Sequence, residues 1–575
     1  MGHSFAACSK EEGEAVYHVM RVLLITILVV GYSALGVGAS HAAEEFSGSV
    51  RAALYQRLHP AGMPAMRTGG DTRLQVGDIL TRFYTQRAYE PAWIHQDGAL
   101  PGVEILLTVL STADRDGLRP QDYHLTQLEA RFQEVRQTQT SQTPWALHRV
   151  VDLELLCTEA FLQYGSHAMS GRLHPAQVEQ AWFLERDADA IDLAALLQHA
   201  LTTNTIAESL HSLLPLHPVY TGLRQALDRY RRLAAQGGWP MVPPGPTVHQ
   251  GEQSPRIAAV RARLLAEGEV PGLGTALDAA LFDATLAQAV RRFQQRHGFT
   301  PDGVVDPPLV AALNVPVEER IRQLEINMER WRWLPRELGT RYLLVNIANF
   351  TLEVVEHHHP VLTMRAIVGR PDRRTPVLRS TLSRVVLSPY WHVPPRIALQ
   401  DKLPLIRKHP GYLAHHGFQV LRGNQAVDPA TIPWAQVTRM HFPYTLRQRP
   451  GATNALGRIK FLFPNPFDVY LHDTPSRELF HASVRAFSSG CIRLEKPLEL
   501  AAYLLREDPA WTPDKIRTAV ERPREQVVQL ATPLSVYVLY STAWVEADGS
   551  VHFRPDLYER EKILGKRLGS VPHLP

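Results

Sequence analysis

The segment "HASVRAFSSGCIRLEKP", His481–Pro497, contains Cys491, one of only three cysteines in 575 residues. A strand-like run, "FDVYLHDT", precedes this segment, and a helix-like run, "KPLELAAYLLRED", follows the cysteine. Cys491 itself stands between Gly490 and Ile492 in a turn-like setting. A cysteine in such a place is either a catalytic nucleophile or a small apolar residue with a structural role. The residues around it indicate which of the two roles applies.

A base for this thiol is available in His472, which precedes Cys491 by 19 residues. Strand alternation places Tyr470 and His472 on one face. Gly490 permits a tight turn, in which consecutive backbone N–H groups can form an oxyanion hole, and Arg493 adds a positive charge. These spacings favour a Cys–His acyl-transfer site, but by themselves they leave a structural cysteine or a redox thiol open.

The other two cysteines give a redox thiol no partner. Cys8 lies in the N-terminal leader. Cys157 lies in "VDLELLCTEAFLQY", where helical periodicity places it on an apolar face and predicts that it is buried. No C-x-x-C pair occurs in the chain.

The N-terminal 43 residues predict export of the rest of the chain. Arg21 precedes the apolar run "VLLITILVVGYSALGVGAS", and a small-x-small site ends at Ala42, as in a signal peptide. An uncleaved membrane anchor is the alternative, because the run approaches the roughly 20 residues that a span needs. The polar stretch before Met20 favours Met20 over Met1 as the start.

The composition is that of an ordinary globular chain, with 45% hydrophobic and 21% charged residues. A formal net charge of +4 is small for this length and gives no reason to expect a nucleic-acid partner. The length suits several domains, since single cores stop growing at about 250–300 residues.

Changes in residue composition and hydrophobic periodicity along the chain predict a multidomain α+β architecture. We predict, in chain order, a leader or anchor (1–43), a helical scaffold (44–235), a Pro/Gly-rich linker (236–255), a three-helix unit (256–316), a connecting helix (317–336), a β-rich catalytic domain (337–545) with an inserted helical cap at about 396–445, and a C-terminal tail (546–575).

The three-helix unit has clear helix boundaries, with Asp283 as N-cap and Gly298 as C-cap of its second helix. Its sequence "AVRRFQQRHGFTPDGVVDPPLVAALN" resembles the peptidoglycan-binding domain that accompanies many cell-wall enzymes. The matching residues are Ala289, Phe293, Gln294, Gly298, Asp302, Gly303 and Leu313. They are also core and turn residues of a small helical bundle, so they do not establish wall binding.

The histidine run His357–His359 does not predict a metal site. It lies between two strand-like runs, where a hairpin turn belongs, and adjacent turn residues rarely converge on one ion. The spacing H-E-x-x-H is absent from the chain. We therefore expect no metal and no organic cofactor.

The text "YLHDT…SSGCIRL" resembles the signature of the L,D-transpeptidase catalytic domain, which has an upstream His and then Ser-His-Gly-Cys with Arg or Asn two residues after the Cys. The matching positions here are Ser488, Ser489, Gly490, Cys491 and Arg493, with His472 upstream. Ser489 departs from the usual His. The stretches "AIVGRPDRRTPVL", "YWHVPPRIA" and "NALGRIKFLFPNPFDVYLHDTP" resemble the long, multidomain periplasmic branch of the family in Gram-negative bacteria.

The resemblance implies an enzyme of peptidoglycan synthesis that forms 3→3 diaminopimelate cross-links through a thioester on Cys491. His472 would be the general base, the backbone carbonyl of Asp473 would hold its tautomer, and the N–H groups of Gly490 and Cys491 would form the oxyanion hole. Five further residues are expected to line the substrate pocket: Arg493, Tyr470, Ser489, Asn454 and Trp391.

The partners implied are peptidoglycan stem peptides, as tetrapeptide donor and diaminopimelate acceptor, in the periplasm. A D,D-carboxypeptidase would supply the donor, and a carbapenem would acylate Cys491. Three alternatives stay open: an L,D-carboxypeptidase, an enzyme that attaches a protein to the wall, and an inactive wall-binding scaffold.

Overall fold

The computed structural model describes residues 44–59, 72–141, 146–178, 182–183, 191–268, 278–438 and 442–569. The predicted leader and the last residues of the predicted tail therefore lie outside the described residues. Within the described ranges, no helix is long and apolar enough to cross a membrane. The described residues divide into two compact units, those within 44–114, 118–169 and 191–214 and those within 115–117, 170–183 and 215–569.

The first unit is helical, as the periodicity predicts. Its elements are helical residues 44–58, α1 (Thr72–Gln86), β1 (Ile94–His95), β2 (Gly98–Ala99), α2 (Pro101–Ser111), α3 (Leu125–Ser141), α4 (Leu147–Ser170), α5 (Leu193–Thr203) and α6 (Ile206–His211). Cys157 on α4 is fully buried, which confirms its predicted place on an apolar face. Glu154 on the same helix is buried and accepts hydrogen bonds from the Trp93 N–H (2.9 Å) and the Tyr84 hydroxyl (3.0 Å), which attach neighbouring elements to α4.

The second unit contains the three-helix unit and the β-rich region. Its helices are α7 (Pro218–Ala235), α8 (Pro255–Glu267), α9 (Ala284–Arg296), α10 (Pro307–Leu313), α11 (Val317–Arg332), α12 (Leu403–Lys408), α13 (Tyr412–His415), α14 (Pro497–Leu505), α15 (Pro513–Glu521) and α16 (Arg560–Arg567), with short helical segments at Pro175–Val178, Pro395–Ile397 and Ala398–Lys402. The Asp283 carboxylate accepts the Leu286 N–H at 2.8 Å, so the predicted N-cap of α9 is confirmed.

The turn after α9 is held by residues that the sequence pattern singles out. Gln294 is buried, and its side chain donates to Asp302 (2.6 Å) and accepts the Gly303 N–H (2.8 Å). Gly298 and Gly303 have φ values of +79° and +78°, a region that favours glycine. Helices α8, α9 and α10 enclose one hydrophobic cluster. The matched residues therefore build this fold.

Most strands of the β-rich region form one large sheet of mixed direction. Its strands are β3 (Trp182–Phe183), β4 (Arg341–Asn346), β5 (Thr351–Glu356), β6 (His359–Gly369), β7 (Val377–Leu387), β12 (Ile459–Leu462), β13 (Leu471–His472), β14 (Ala486–Ser488), β15 (Ile492–Leu494) and β16 (Gln526–Leu539), with β8 to β11 given below. The order is β12-β13-β15-β6-β5-β4-β16-β7-β3, with β14 on β6. Because β12 also pairs with β7, the sheet closes on itself.

The inserted cap is only partly helical, which corrects the sequence-based expectation. Besides its helical segments it has a four-stranded sheet in the order β10-β9-β11-β8, formed by β8 (Trp391–His392), β9 (Phe418–Arg422), β10 (Gln425–Val427) and β11 (Thr445–Gln448). The insert thus begins before residue 396 and ends after residue 445. A separate hydrophobic cluster around Trp391, Leu403 and Phe418 supports these short strands.

The predicted C-terminal tail is also structured within residues 546–569. Strand β18 (Val551–Phe553) pairs with β17 (Ala543–Val545), and α16 follows. The Tyr558 hydroxyl donates to the Gly369 carbonyl at 2.6 Å. The segment after residue 545 is therefore part of the fold of this unit rather than an appendage.

The predicted hairpin turn at the histidine run is confirmed, since Glu356 pairs with His359 and leaves His357 and His358 as the two loop residues. Both have positive φ, +47° and +67°, the requirement of a two-residue hairpin turn that favours Asn-Gly.

We expect the double variant His357→Asn, His358→Gly to stabilise the chain by about 1 kcal/mol, because the left-handed conformation is costly for other residues. Urea denaturation followed by tryptophan fluorescence measures this.

His359→Asn is the matched control for that prediction, because His359 already lies in β6. An unchanged or lower unfolding midpoint for the double variant would contradict the turn assignment.

Candidate active site

Parallel pairing of β13 with β15 brings the predicted base and nucleophile together. His472 is in register with Arg493, and Leu471 with Ile492. One residue earlier, Tyr470 stands opposite Cys491, and the Ile492 N–H donates to the Tyr470 carbonyl at 3.1 Å. Because alternate side chains share a face, Tyr470, His472, Cys491 and Arg493 all face one side of the sheet.

The register also limits the separation of the thiol and the imidazole. Strands lie about 4.8 Å apart and rise about 3.3 Å per residue, so a diagonal pair two residues out of register has Cα atoms roughly 8 Å apart. Side chains of this length can meet across that gap. In the part of the chain that the structure describes, the two groups make no direct hydrogen bond, and hydrogen bonds between catalytic groups often tighten only with substrate.

His472 is held as a neutral imidazole. Its Nδ1 lies 2.5 Å from the Asp473 backbone carbonyl, to which it donates, so the predicted contact of this carbonyl is present and leaves Nε2 as the basic nitrogen. The ring is buried. Burial lowers the pKa of His472 to about 3, and the nearby charge of Arg493 acts in the same direction.

The Asp473 carboxylate has a separate, structural task. It accepts the Arg458 N–H at 2.8 Å and a hydrogen bond from Arg477 at 3.1 Å. Gly457 has a φ of +61°, and a Cβ atom there would lie 2.4 Å from the carboxylate. The absence of a side chain at Gly457 thus lets Asp473 hold the strand that carries His472.

Cys491 is half-buried, and its Sγ lies 3.9 Å from the Asp468 carbonyl. Burial raises the pKa of this thiol. Hydrogen bonds from the Tyr470 backbone and hydroxyl, together with the charges of Lys460 and Arg493, counteract that increase. The environment therefore contains the positive charge and donors that a thiolate needs, opposed by desolvation.

The loop before Cys491 is fixed by one hydrogen bond within the loop and by another from Thr375. Gly490 has a φ of +117° and donates its N–H to the Ser488 hydroxyl at 3.1 Å. The Gly490 carbonyl accepts a hydrogen bond from Thr375 at 2.9 Å. The Gly490 N–H is therefore already engaged, whereas the Cys491 N–H donates no hydrogen bond within the described residues. We now expect the Cys491 N–H to be the main oxyanion donor.

Ser489, where the family motif usually has His, connects this loop to the cap. Its exposed hydroxyl accepts a hydrogen bond from Arg373 at 3.0 Å. The same guanidinium binds both carboxylate oxygens of Asp401 in the cap, at 2.5 and 2.7 Å. Ser489, Arg373 and Asp401 thus form a continuous link from the nucleophile loop to the cap.

The remaining predicted pocket residues differ in what they can contact. Arg493 is half-buried and opposite His472, and its Nε has no hydrogen-bond partner within the described residues. Tyr470 lies with its ring centroid 5.7 Å from that of His472. Trp391 is buried in the hydrophobic cluster of the cap, against which Tyr470 packs.

Asn454 is fully buried, and we no longer expect it to contact substrate. Its amide nitrogen donates to the carbonyls of Pro389 (3.0 Å) and Arg449 (2.9 Å), and its oxygen accepts the Leu456 N–H (2.8 Å). These bonds use both ends of the amide to fasten the loop between β11 and β12.

Three segments of the chain match models of known protein families. Residues 340–518 match the model described as "L,D-transpeptidase catalytic domain". Residues 78–227 match a "Scaffold domain" and residues 253–313 a "Putative peptidoglycan binding domain". The chain contains an L,D-transpeptidase catalytic domain.

A Haemophilus influenzae protein named "Putative L,D-transpeptidase" is 38% identical over 239 residues, which are 41% of this chain and 47% of that protein. The chain thus spans about half the length of this relative.

Among solved structures, an L,D-transpeptidase from Xylanimonas cellulosilytica is 15% identical, with 52% of this chain and 99% of that chain covered and a TM-score of 0.17. L,D-transpeptidase 3 from Mycobacterium tuberculosis is 14% identical, with 35% and 61% covered and a TM-score of 0.17. Such scores carry no argument about this chain.

Sequence reasoning missed four residues that contact the site or the loop before Cys491, one of which lies outside residues 340–518. They are Lys460, Arg373, Thr375 and Tyr558, whose hydroxyl accepts the Thr375 N–H at 3.2 Å. A signal existed for two of them: Lys460 interrupts the apolar strand "RIKFLF", and Arg373 belongs to the quoted stretch "AIVGRPDRRTPVL". Thr375 and Tyr558 come from distant parts of the chain, and only folding brings them to the loop.

The depressed pKa of His472 predicts a pH dependence of stability. A folded value of about 3 lies below the unfolded value of about 6.5, so the unfolded state binds more protons between these values. The contribution of the neutral His472 to the free energy of unfolding is complete above about pH 6.5. It is lost as the pH falls towards 3. We expect His472→Asn to flatten the slope of unfolding free energy against pH by up to about 1.4 kcal/mol per pH unit between pH 4 and 6.

Urea titrations at several pH values measure that slope. His481→Asn, at an exposed histidine of the same domain, is the control. Equal slopes for wild type and His472→Asn would show that the imidazole is not kept neutral by the fold.

The link to the cap makes a second prediction. Asp401→Asn removes the ion pair with Arg373, and we expect the amides of α12 to exchange with deuterium about fivefold faster, corresponding to about 1 kcal/mol for a partly exposed pair. Asp372→Asn is the matched control, because Asp372 is exposed and lies 3.9 Å from the same guanidinium. Unchanged exchange in Asp401→Asn would show that the ion pair does not hold the cap.

Proposed function

We propose that the chain is a peptidoglycan L,D-transpeptidase that forms 3→3 diaminopimelate cross-links through a thioester on Cys491. The observation that carries the proposal is the parallel register that sets His472 and Cys491 on one face of an L,D-transpeptidase catalytic domain. A neutral, buried imidazole beside a thiol is the pairing that acyl transfer by cysteine requires.

The first half-reaction forms the acyl-enzyme. His472 takes the thiol proton, and the Cys491 sulfur attacks the carbonyl carbon at the L-centre of diaminopimelate, residue three of a tetrapeptide stem. The carbon–nitrogen bond to the terminal D-Ala breaks, and the imidazolium returns its proton to the leaving amine. The Cys491 N–H stabilises the oxyanion, a contribution typically worth 100- to 1,000-fold in rate.

The second half-reaction transfers the acyl group. The side-chain amine of a second diaminopimelate attacks the thioester carbonyl, His472 accepts the proton of that amine, and the thiolate leaves. Arg493 and Tyr470, beside the two reacting groups, are our candidates for substrate contacts. The cap, fastened to the Ser489 loop through Arg373, would limit access of water, which competes with the amine.

The wider setting follows from the reaction class. We propose that the protein acts in the periplasm after export, with the N-terminal segment as signal peptide or anchor. A D,D-carboxypeptidase would generate the tetrapeptide donor. The similarity of residues 253–313 to a peptidoglycan-binding model supports peptidoglycan as the substrate. Membership of the multidomain branch and the domain boundaries given above, apart from those of the cap and tail, remain predictions.

Muropeptide analysis tests the proposal. We expect the full chain, incubated with tetrapeptide muropeptides, to give 3→3 dimers, and Cys491→Ala to reduce their rate at least about 1,000-fold because the nucleophile is lost. A carbapenem is expected to add one acyl mass to the wild type and none to Cys491→Ala. Cys157→Ala, at the buried cysteine of α4, is the matched control and should retain both.

The other outcomes separate the alternatives. Tripeptides without dimers would indicate an L,D-carboxypeptidase. A carbapenem adduct without either product would favour attachment of a protein acceptor. An absence of adduct and products would favour a wall-binding scaffold and overturn the proposal.

A further inference from the structure

Lys460 lies on β12 directly opposite His472 on β13. Residues that pair directly across antiparallel strands share a face, so Lys460 faces the same side as His472 and Tyr470. Three neighbouring strands thus present Lys460, then His472 and Tyr470, then Cys491 and Arg493. The lysine belongs to the same polar row as the catalytic pair.

The ammonium group is held over the Tyr470 ring. The Lys460 Nζ lies 3.9 Å from the centroid of that ring, a cation–π contact. Tyr470 in turn stands opposite Cys491, just before β13, which pairs with β12 on one side and with β15 on the other. The aromatic ring therefore lies between the cation and the nucleophile and fixes the position of the cation.

Lys460 has no carboxylate in ion-pair contact among the described residues, although it is half-buried. Ionisable and charged groups face it from each neighbouring element: Cys491 and Arg493 at β15, Tyr470 and His472 on or beside β13, Asp468 in the loop before it, Arg384 on β7, His392 on β8 and Glu525 before β16. A desolvated cation without a counter-ion is costly unless negative charge forms nearby.

The thiolate is the negative charge that this arrangement suits best. Burial lowers the pKa of Lys460, and of the charges that oppose this shift, Cys491 has the largest effect. The interaction is reciprocal, since the lysine lowers the pKa of Cys491 and also that of His472. One cation therefore favours the thiolate and disfavours the imidazolium.

We propose that Lys460 is a positioning residue, held on the Tyr470 ring, whose charge stabilises the thiolate of Cys491 and keeps His472 available as a neutral base. The inference rests on the proposed function in that it takes Cys491 as the nucleophile. It adds a residue outside the Cys–His motif to the machinery of the site.

The test is the pH profile of Cys491 alkylation by iodoacetamide, followed on the full chain by the mass of the peptide that carries Cys491. We expect Lys460→Met to raise the midpoint of the profile by about one pH unit, the size expected for loss of one charge at this range with partial solvent screening. Lys460→Arg retains a cation over the ring and should restore the wild-type midpoint.

Lys515→Met is the matched control. Lys515 also stands over an aromatic ring, with Nζ 5.2 Å from the Trp511 centroid, but on α15 and exposed to solvent. It should leave the midpoint unchanged. If Lys460→Met fails to fold by circular dichroism, Lys460→Gln replaces it, with the same expected direction.

An unchanged midpoint in the folded uncharged variant, or an equal shift in Lys460→Arg, would overturn the inference. Alkylation requires no peptidoglycan, so the result is independent of the acceptor. If wild type forms 3→3 dimers while the midpoint is insensitive to Lys460, the inference on Lys460 fails and the proposed function stands. If the midpoint shifts while no products form, the electrostatic role stands and the proposed function fails.

Discussion

The parallel pairing of β13 with β15 is the constraint on which the site depends. A hydrogen bond from the Ile492 N–H to the Tyr470 carbonyl fixes the register, and the register places His472 and Cys491 on one face. A shift of one residue would turn one strand's side chains to the opposite face and separate the base from the nucleophile. The closed sheet protects this register, because β12 is paired on both sides, with β13 and with β7.

The electrostatics of the site follow from burial among cations. Arg493 and Lys460 flank the pair, and Asp473 contacts the imidazole through its backbone carbonyl. A site of this kind keeps His472 neutral and offers positive charge to the thiolate. Burial raises the pKa of Cys491 against that attraction, so the reactivity of the thiol reflects a balance between desolvation and neighbouring charge.

The nucleophile loop is also fixed from outside its own segment. Thr375 donates to the Gly490 carbonyl, Tyr558 contacts Thr375, and Arg373 joins Ser489 to the cap. The loop is therefore coupled to the region after residue 545 and to the insert between β7 and β12. A Ser at position 489 suits this coupling, since a hydroxyl accepts the hydrogen bond of a guanidinium that is already bound to a carboxylate.

The sequence by itself determined the local features: the helical periodicity of α4, the N-terminal capping residue Asp283 of α9, the hairpin turn at His357, and the motif residues around Cys491. These depend on neighbours within a few residues, and so they can be recognised from spacing and residue type. The short strands of the cap, the hydrogen bond from Thr375 to the Gly490 carbonyl and the burial of Asn454 were decided only by tertiary structure. So was the placement of Lys460 over Tyr470, because contacts between distant segments arise when strands pair in one register, and no local pattern encodes that register.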